Sequence, residues 1–202
     1  MPTRLSAVLS ESVTTSRRFG ACGLAMRCTL LAMLAAVDAH YEGETAAVAC
    51  VTFLEWRDPA PASEHSTLVH SVEDYVPGAF WRRELPCILA VLRLLPSPPE
   101  VVLVDGYVWL DGNGRRGLGA HLFDALGGST AVVGVAKHAF RGAVDAALVH
   151  RGRSERPLYV TAEGMPLQAA EAAVRAMHGT HRIPTLLKRV DWLCRQALRD
   201  RA

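Results

Sequence analysis

The stretch Val101-Val102-Leu103-Val104-Asp105-Gly106 decides how the rest of the chain is interpreted. Its apolar residues run without interruption between turn-forming residues, which is typical of a strand buried on both faces of a sheet. In open α/β sheets, functional groups lie beyond the carboxyl ends of such strands. Asp105 is therefore predicted at the mouth of a site, where Gly106 would let a backbone or ligand approach closely. On this stretch alone, a loop-capping role for Asp105 is the alternative.

Composition favours a single globular α/β domain whose cysteines are reduced. The chain has 202 residues, of which 50% are hydrophobic, and a net charge of +2, which permits a nucleic-acid partner without requiring one. The five cysteines form no CxxC pair, so zinc and a disulfide framework are both disfavoured and a cytoplasmic location is expected. Because Lys137 and Lys188 are the only lysines, Lys137 stands out in its glycine-containing setting.

The first residues allow more than one interpretation. Ser16-Arg17-Arg18-Phe19 and the apolar stretch after it are similar to a twin-arginine export signal, but Arg27 interrupts that stretch. The stretch is also too short to span a bilayer. We interpret residues 1–28 as an N-terminal extension of uncertain structure and residues 29–202 as a single domain. We expect a monomer without membrane attachment.

The order of predicted elements indicates a mixed sheet. The first strands follow one another as an antiparallel meander, and later strands alternate with helices, which is typical of an α/β fold. The predicted strands cover residues 30–37, 45–56, 67–72, 101–104, 130–135 and 158–161, and the predicted helices cover residues 79–95, 118–126, 166–177 and 186–199.

Three acidic residues lie at the ends of predicted strands or on the first predicted helix. Asp38 is predicted to end the first strand, Asp105 ends the buried strand, and Glu84 lies on the first helix. If the two strands are neighbours, these side chains face one crevice, and clustered carboxylates suit Mg²⁺ or Mn²⁺. Such ions support phosphodiester hydrolysis. The alternative is that Glu84 pairs with a neighbouring arginine on a solvated face and that both aspartates cap loops.

Several motifs, in order and spacing, resemble the endonuclease V family over roughly residues 30–195. They are Ala36-Val37-Asp38, Tyr75-Val76-Pro77-Gly78, Arg83-Glu84-Leu85-Pro86, Leu103-Val104-Asp105-Gly106 and Gly134-Val135-Ala136-Lys137. The resemblance implies a ribonuclease-H-like fold. It also implies a Mg²⁺ site, with Mn²⁺ as a substitute, made of Asp38, Glu84 and Asp105.

The resemblance further implies an activity and a substrate. Family members cut DNA near a deaminated base, typically at the second phosphodiester bond 3′ of inosine, which predicts a repair nuclease with RNA as a second candidate substrate. Lys137 would contact the scissile phosphate or the attacking water, and Tyr75-Val76-Pro77-Gly78 would wedge into the gap left by the extruded base. By the same resemblance, Gly78, Gly106 and Gly117 would line the base pocket and His121 would contact the substrate.

Two departures from the family pattern motivate an alternative. Family members usually have Asp-Gly-His-Gly where this chain has Asp105-Gly106-Tyr107-Val108-Trp109, and the late Gly-His-Arg motif falls at Glu163-Gly164-Met165. Tyr107 and Trp109 either stack on a base or belong to the core. The alternative hypothesis is a catalytically weak nucleic-acid-binding module of the same fold.

The remaining basic residues give weaker signals. His138, His150, His178 and His181 show no metal-ligand spacing. Arg151, Arg153 and Arg156 are predicted either to contact a phosphate backbone or to form a solvated loop.

Overall fold

The computed structural model describes residues 33–70, 72–73, 79–140 and 146–200. The predicted extension over residues 1–28 and the segment Tyr75-Val76-Pro77-Gly78 lie outside the described residues. In chain order the elements are β1 (Leu34–Glu42), β2 (Thr45–Phe53), β3 (Ser63–His70), α1 (Phe80–Leu92), β4 (Val101–Val104), α2 (Leu118–Ala125), β5 (Ala131–Ala136), β6 (Ala147–Val149), β7 (Leu158–Glu163), α3 (Leu167–Ala176) and α4 (Thr185–Arg199).

The strands form one mixed sheet in the order β3-β2-β1-β4-β5-β7-β6. The first three strands pair as an antiparallel meander, and β1, β4 and β5 pair in parallel. The predicted mixed α/β sheet flanked by helices is therefore confirmed. The chain then departs from a purely parallel continuation, since β7 pairs antiparallel with β5 and β6 pairs antiparallel with β7.

The first strand corrects one prediction, because Asp38 lies inside β1 and does not end it. Parallel pairing with β4 stops at Val37, opposite Val104, but antiparallel pairing with β2 continues to Glu42, opposite Thr45. Hydrogen bonding to β2 therefore carries the strand past the carboxylate. Asp38 still lies beyond the last residue paired with β4.

Other element ends shift for local reasons. The second strand ends at Phe53, before the predicted Trp56, because the Asp58 carboxylate accepts hydrogen bonds from the Leu54 and Glu55 amides and turns the chain. The short strand β6 was not predicted, since three residues at the sheet edge carry too little pattern to detect.

The sheet is buried on both faces, as the Val101–Val104 run indicates. Leu103 packs with the core beneath α3 and α4, whereas Val102 and Val104 pack with the core beneath α1 and α2. Ala36 belongs to the first of these cores, so side-chain alternation along β1 directs Asp38 toward α4 as well. Among the helices described, none is long and apolar enough to cross a bilayer.

Arg151 corrects a second prediction, because it neither lies in a solvated loop nor is free to contact phosphate. Its side chain is buried, and its guanidinium donates to the carbonyls of Val174, Met177 and Gly179 at 2.8, 2.7 and 2.9 Å. It therefore closes the carboxyl end of α3, where a cation interacts favourably with the helix dipole.

Candidate active site

A pocket opens where β4 and β5 end, at the position predicted from Asp105. Apolar residues of the strands and of α4 surround its polar groups. The lining residues are Val37, Asp38, Val104, Asp105, Val135, Lys137, Leu158, Ile183, Leu187 and Val190. The parallel pairing of β1, β4 and β5 is what brings Asp38, Asp105 and Lys137 to the same edge.

Asp38 is a carboxylate held in a poorly solvated place. One of its oxygens, Oδ1, accepts a hydrogen bond from the Ala39 amide at 2.8 Å. Burial, followed by the negative charge of Asp105, raises the pKa of Asp38 to about 7, although the Ala39 amide and Lys137 act in the opposite direction. The native fold therefore holds this group close to its titration point at neutral pH.

Glu84 is the most deeply buried acid of the site, with an exposed fraction of 5%. It shares one face of α1 with Cys87, Ile88 and Val91, all at helical spacing and all buried. Burial, then the charges of Asp38 and Asp105, raises the pKa of Glu84 well above its usual range. Its Oε2 atom is buried and has no hydrogen-bond partner among the described residues.

The alternative prediction for Glu84, a solvated pair with a neighbouring arginine, is wrong. The Arg83 guanidinium instead lies over the Tyr41 ring, 4.1 Å from its centroid, and donates to the Gly43 carbonyl at 3.2 Å. The Arg82 guanidinium lies 5.6 Å from the Trp81 ring centroid. Glu84 thus faces the other carboxylates and has no counter-ion of its own on α1.

Lys137 follows β5 and pairs with Asp105. Its Nζ donates to Asp105 Oδ2 at 2.5 Å, and the two side chains are 39% and 37% exposed. Burial lowers the pKa of Lys137, but the hydrogen bond and charge of Asp105, together with Asp38, outweigh this and raise it. The ammonium is therefore charged at neutral pH and sits at the solvent-facing rim of the carboxylate cluster.

The structure adds Asp191, which sequence reasoning missed. It lies on α4, and its charge contributes to raising the pKa of both Asp38 and Lys137. Arg195 holds it through an ion pair of 3.0 Å. Helical spacing could have predicted its position, because Asp191 comes one turn after Leu187 and directly after Val190, which both line the pocket.

The donor set fits a hard divalent cation, although the described side chains do not form a closed coordination shell. Within residues 33–70, 72–73, 79–140 and 146–200, no group of three or more His, Cys, Asp or Glu is placed to hold a metal ion. The charge of Asp105 nevertheless raises the pKa of both Asp38 and Glu84, and Glu84 Oε2 lacks a hydrogen-bond partner among the described residues. Oxygen ligands whose mutual repulsion a cation would relieve are those that Mg²⁺ and Mn²⁺ prefer.

The residues predicted to bind substrate have different surroundings. Gly106 has φ +145°, and the space where a Cβ would stand is open. The same space beside Gly117 is filled by the Tyr107 carbonyl, so the absence of a side chain there serves chain packing. His121 stacks on Trp81 with ring centroids 3.8 Å apart.

The altered loop is anchored to the body of the protein. Tyr107 is 8% exposed; its hydroxyl donates to the His138 carbonyl at 2.8 Å and accepts from the Phe140 amide at 3.1 Å. Tyr107 therefore belongs to the core. Trp109 Nε1 donates to Glu163 Oε2 at 2.8 Å.

The segment at which the late Gly-His-Arg motif is predicted to fall lies away from the carboxylates. Glu163 pairs with Val132, near the beginning of β5, whereas Tyr159 pairs with Ala136 at the end beside Lys137. The segment Glu163-Gly164-Met165 thus lies at the opposite end of β7 from the carboxylates. At the edge that carries Asp105 and Lys137, Arg182 Nη2 donates to the Lys137 carbonyl.

Comparison with known proteins gives a consistent result. The family model described as Endonuclease V matches residues 24–184. An Endonuclease V from Streptomyces coelicolor is 34% identical over 187 residues, which are 82% of this chain and 79% of the relative. One from Streptomyces avermitilis is 32% identical over 185 residues, covering 81% and 80%.

Solved structures agree with these sequences. The crystal structure of Endonuclease V from Streptomyces avermitilis superposes with a TM-score of 0.67 at 26% identity, covering 83% of this chain and 82% of that one. Endonuclease V from Ciona intestinalis, solved with a 23mer DNA containing an inosine followed by a ribo-adenosine, gives 0.72 at 20% identity, covering 87% and 88%. This second likeness shows the shared fold.

Proposed function

Because the chain belongs to the endonuclease V family and is a nuclease that acts on nucleic acid, we propose a specific reaction for it. This reaction is the hydrolysis of a phosphodiester bond on the 3′ side of inosine. The observation that carries the proposal is the cluster of Asp38, Glu84 and Asp105, in which burial and the charge of Asp105 raise the pKa of both Asp38 and Glu84. DNA is the proposed substrate, since a relative is solved with inosine-containing DNA, and RNA is the second candidate.

We assign the cation to the three carboxylates. Asp38, Glu84 and Asp105 would hold Mg²⁺, or Mn²⁺ in its place, and the ion would polarise a phosphoryl oxygen and lower the pKa of a bound water. Glu84 Oε2, buried without a partner among the described atoms, is the oxygen for which a cation supplies the missing interaction. Asp191 lies near enough to Asp38 to add negative charge to the site.

Lys137 provides positive charge at the rim. Its ammonium already contacts Asp105, so a phosphate that approaches the carboxylates meets a donor at the point where negative charge develops. Arg182 fixes the backbone of Lys137 through its carbonyl. Lys137 is therefore assigned to the scissile phosphate.

Base recognition is assigned to the loop side of the site. Gly106, with open space at its Cβ position, would admit the extruded base, and His121 stacked on Trp81 would form a wall of the binding surface. Tyr75-Val76-Pro77-Gly78 would fill the gap left in the strand. Gly117 supports this surface indirectly by admitting the Tyr107 carbonyl.

The setting of the activity is also a proposal. We propose that residues 29–202 form the catalytic domain after an extension over residues 1–28. We further propose that the protein works as a monomer in the cytoplasm, in the repair of deaminated nucleic acid.

The proposal is tested by cleavage of labelled single strands that carry one inosine or one adenosine, with Mg²⁺ and with a chelator. The expected result is metal-dependent cutting of the inosine strand, lost in Asp105→Asn and retained in Asp124→Asn, which changes an exposed carboxylate on α2. Equal cutting of both strands would overturn the base assignment. Binding without cutting, with Mn²⁺ also present, would favour the catalytically weak module.

A further inference from the structure

The loop between β6 and β7 lies at the catalytic edge of the sheet. Because β7 runs antiparallel to β5, its first residues stand beside the last residues of β5, with Tyr159 opposite Ala136. Arg182 Nη2 donates to the carbonyls of both Lys137 and Pro157, which joins this loop directly to the residue assigned to the scissile phosphate. The loop is therefore continuous with the active site.

A buried arginine fixes the shape of this loop. Arg151 begins it and is bound to the carbonyls of Met177 and Gly179 in the α3–α4 connection. Gly152 has φ +61°, and a Cβ there would collide with the Thr180 carbonyl, so the two segments are in direct backbone contact. What they present to solvent is consequently held in place by the fold.

Between the two segments lies a polar groove of about 790 Å³, including space open to solvent. Its lining residues are Arg153, Ser154, Thr180, His181 and Arg182. No carboxylate lines it, and Arg153 has no ion-pair partner among the described residues. Guanidinium, imidazole and hydroxyl donors around an open groove are the groups that bind phosphate oxygens.

We propose that this groove is a second phosphate-binding site, in which Arg153 holds a phosphodiester of the substrate strand that neighbours the one being cut. The proposal rests on the proposed function, since it takes Lys137 as the contact of the scissile phosphate. Arg153 provides affinity and positions the strand, and it takes no part in bond breaking. The partner is a nucleic-acid backbone, because Arg182, which lines the groove, also hydrogen-bonds to the carbonyl of Lys137 in the carboxylate pocket.

The test compares Arg153→Gln with Arg93→Gln. Arg93 is an exposed arginine that follows α1 nine residues after Glu84, or roughly 13 Å along the helix. Binding of a labelled inosine-containing single strand is measured by fluorescence anisotropy in chelator over a series of salt concentrations. For Arg153→Gln we expect Kd to rise about 3- to 10-fold, and the slope of log Kd against log salt to fall by about 0.7.

The control should bind and cut like the unchanged protein. Thermal unfolding of Arg153→Gln should also be unchanged, because this side chain is exposed and forms no hydrogen bond or ion pair with a described residue. Arg153→Glu should weaken binding further. Unchanged affinity and salt slope in both Arg153 variants, or an equal loss of affinity in Arg93→Gln, would overturn the proposal that this groove binds a phosphate. If the unchanged protein binds with this Arg153 dependence but cuts no inosine strand, the groove stands and the proposed activity falls.

Discussion

At the scale of single residues, the site stores electrostatic repulsion in the native fold. Burial and the charge of Asp105 raise the pKa of the partly buried Asp38, and burial with the charges of Asp38 and Asp105 raises that of the buried Glu84. Of these three carboxylates, Asp105 alone has an ion-pair partner among the described residues, Lys137. Without a counter-ion, such a cluster destabilises the native state, and a cation that binds to it stabilises the native state. Function at this site is therefore expected to oppose stability.

The first prediction concerns pH. The pKa of Asp38 is about 7 in the fold against 3.8 for the ordinary group, so between these values the native state binds more protons than the unfolded state. The free energy of unfolding in chelator should then fall as pH rises from 4 to 7, by at most about 4 kcal/mol from this group. Denaturant unfolding at several pH values should show a smaller fall for Asp38→Asn, and identical pH profiles would contradict the assignment.

The second prediction separates activity from stability at Lys137. Since the ion pair with Asp105 is more than a third exposed, Lys137→Met should change the free energy of unfolding by less than about 1 kcal/mol. Loss of the ammonium at the phosphate should lower the single-turnover cleavage rate by about 100-fold. Lys137→Arg is the matched control and should retain more of the rate. Full activity in Lys137→Met would exclude the proposed role.

At the scale of elements, chain segments distant in sequence build the site. β1 and β4 supply the aspartates, α1 supplies Glu84, and α4 closes the pocket with Leu187 and Val190. The loops beyond the sheet are tied down by arginines, of which Arg151 binds the end of α3 and Arg182 binds the end of β5. Each arginine donates to backbone carbonyls of more than one segment.

The third prediction concerns Arg151. Replacing it with Met removes the guanidinium donor from the carbonyls of Val174, Met177 and Gly179 at the end of α3, so the free energy of unfolding should fall by about 3–5 kcal/mol. Arg156→Met, which changes an exposed side chain in the same loop, should alter it by less than about 0.5 kcal/mol. Urea unfolding of both variants measures this. Equal stability of the two would show that the buried guanidinium does not support the end of α3.

At the scale of the whole molecule, the sequence predicted what depends on local pattern. The Val101–Val104 run predicted a strand buried on both faces, and the helical spacing of apolar residues around Glu84 predicted α1. The approach of Asp191 to Asp38 and the burial of Arg151 were not predictable in this way, because both depend on contacts between segments far apart in sequence. The passage of β1 beyond Asp38 was missed for the same reason, since pairing with β2 decides it.

The claim on which the account depends is that Asp38, Glu84 and Asp105 together hold a divalent cation. Its most direct test is calorimetric titration of the protein with Mn²⁺ in the absence of nucleic acid, with Glu84→Gln beside Asp124→Asn. The account predicts saturable binding that Asp124→Asn preserves and Glu84→Gln weakens at least about tenfold. Equal Mn²⁺ affinity in Glu84→Gln and the unchanged protein, or no binding by the unchanged protein, would contradict it.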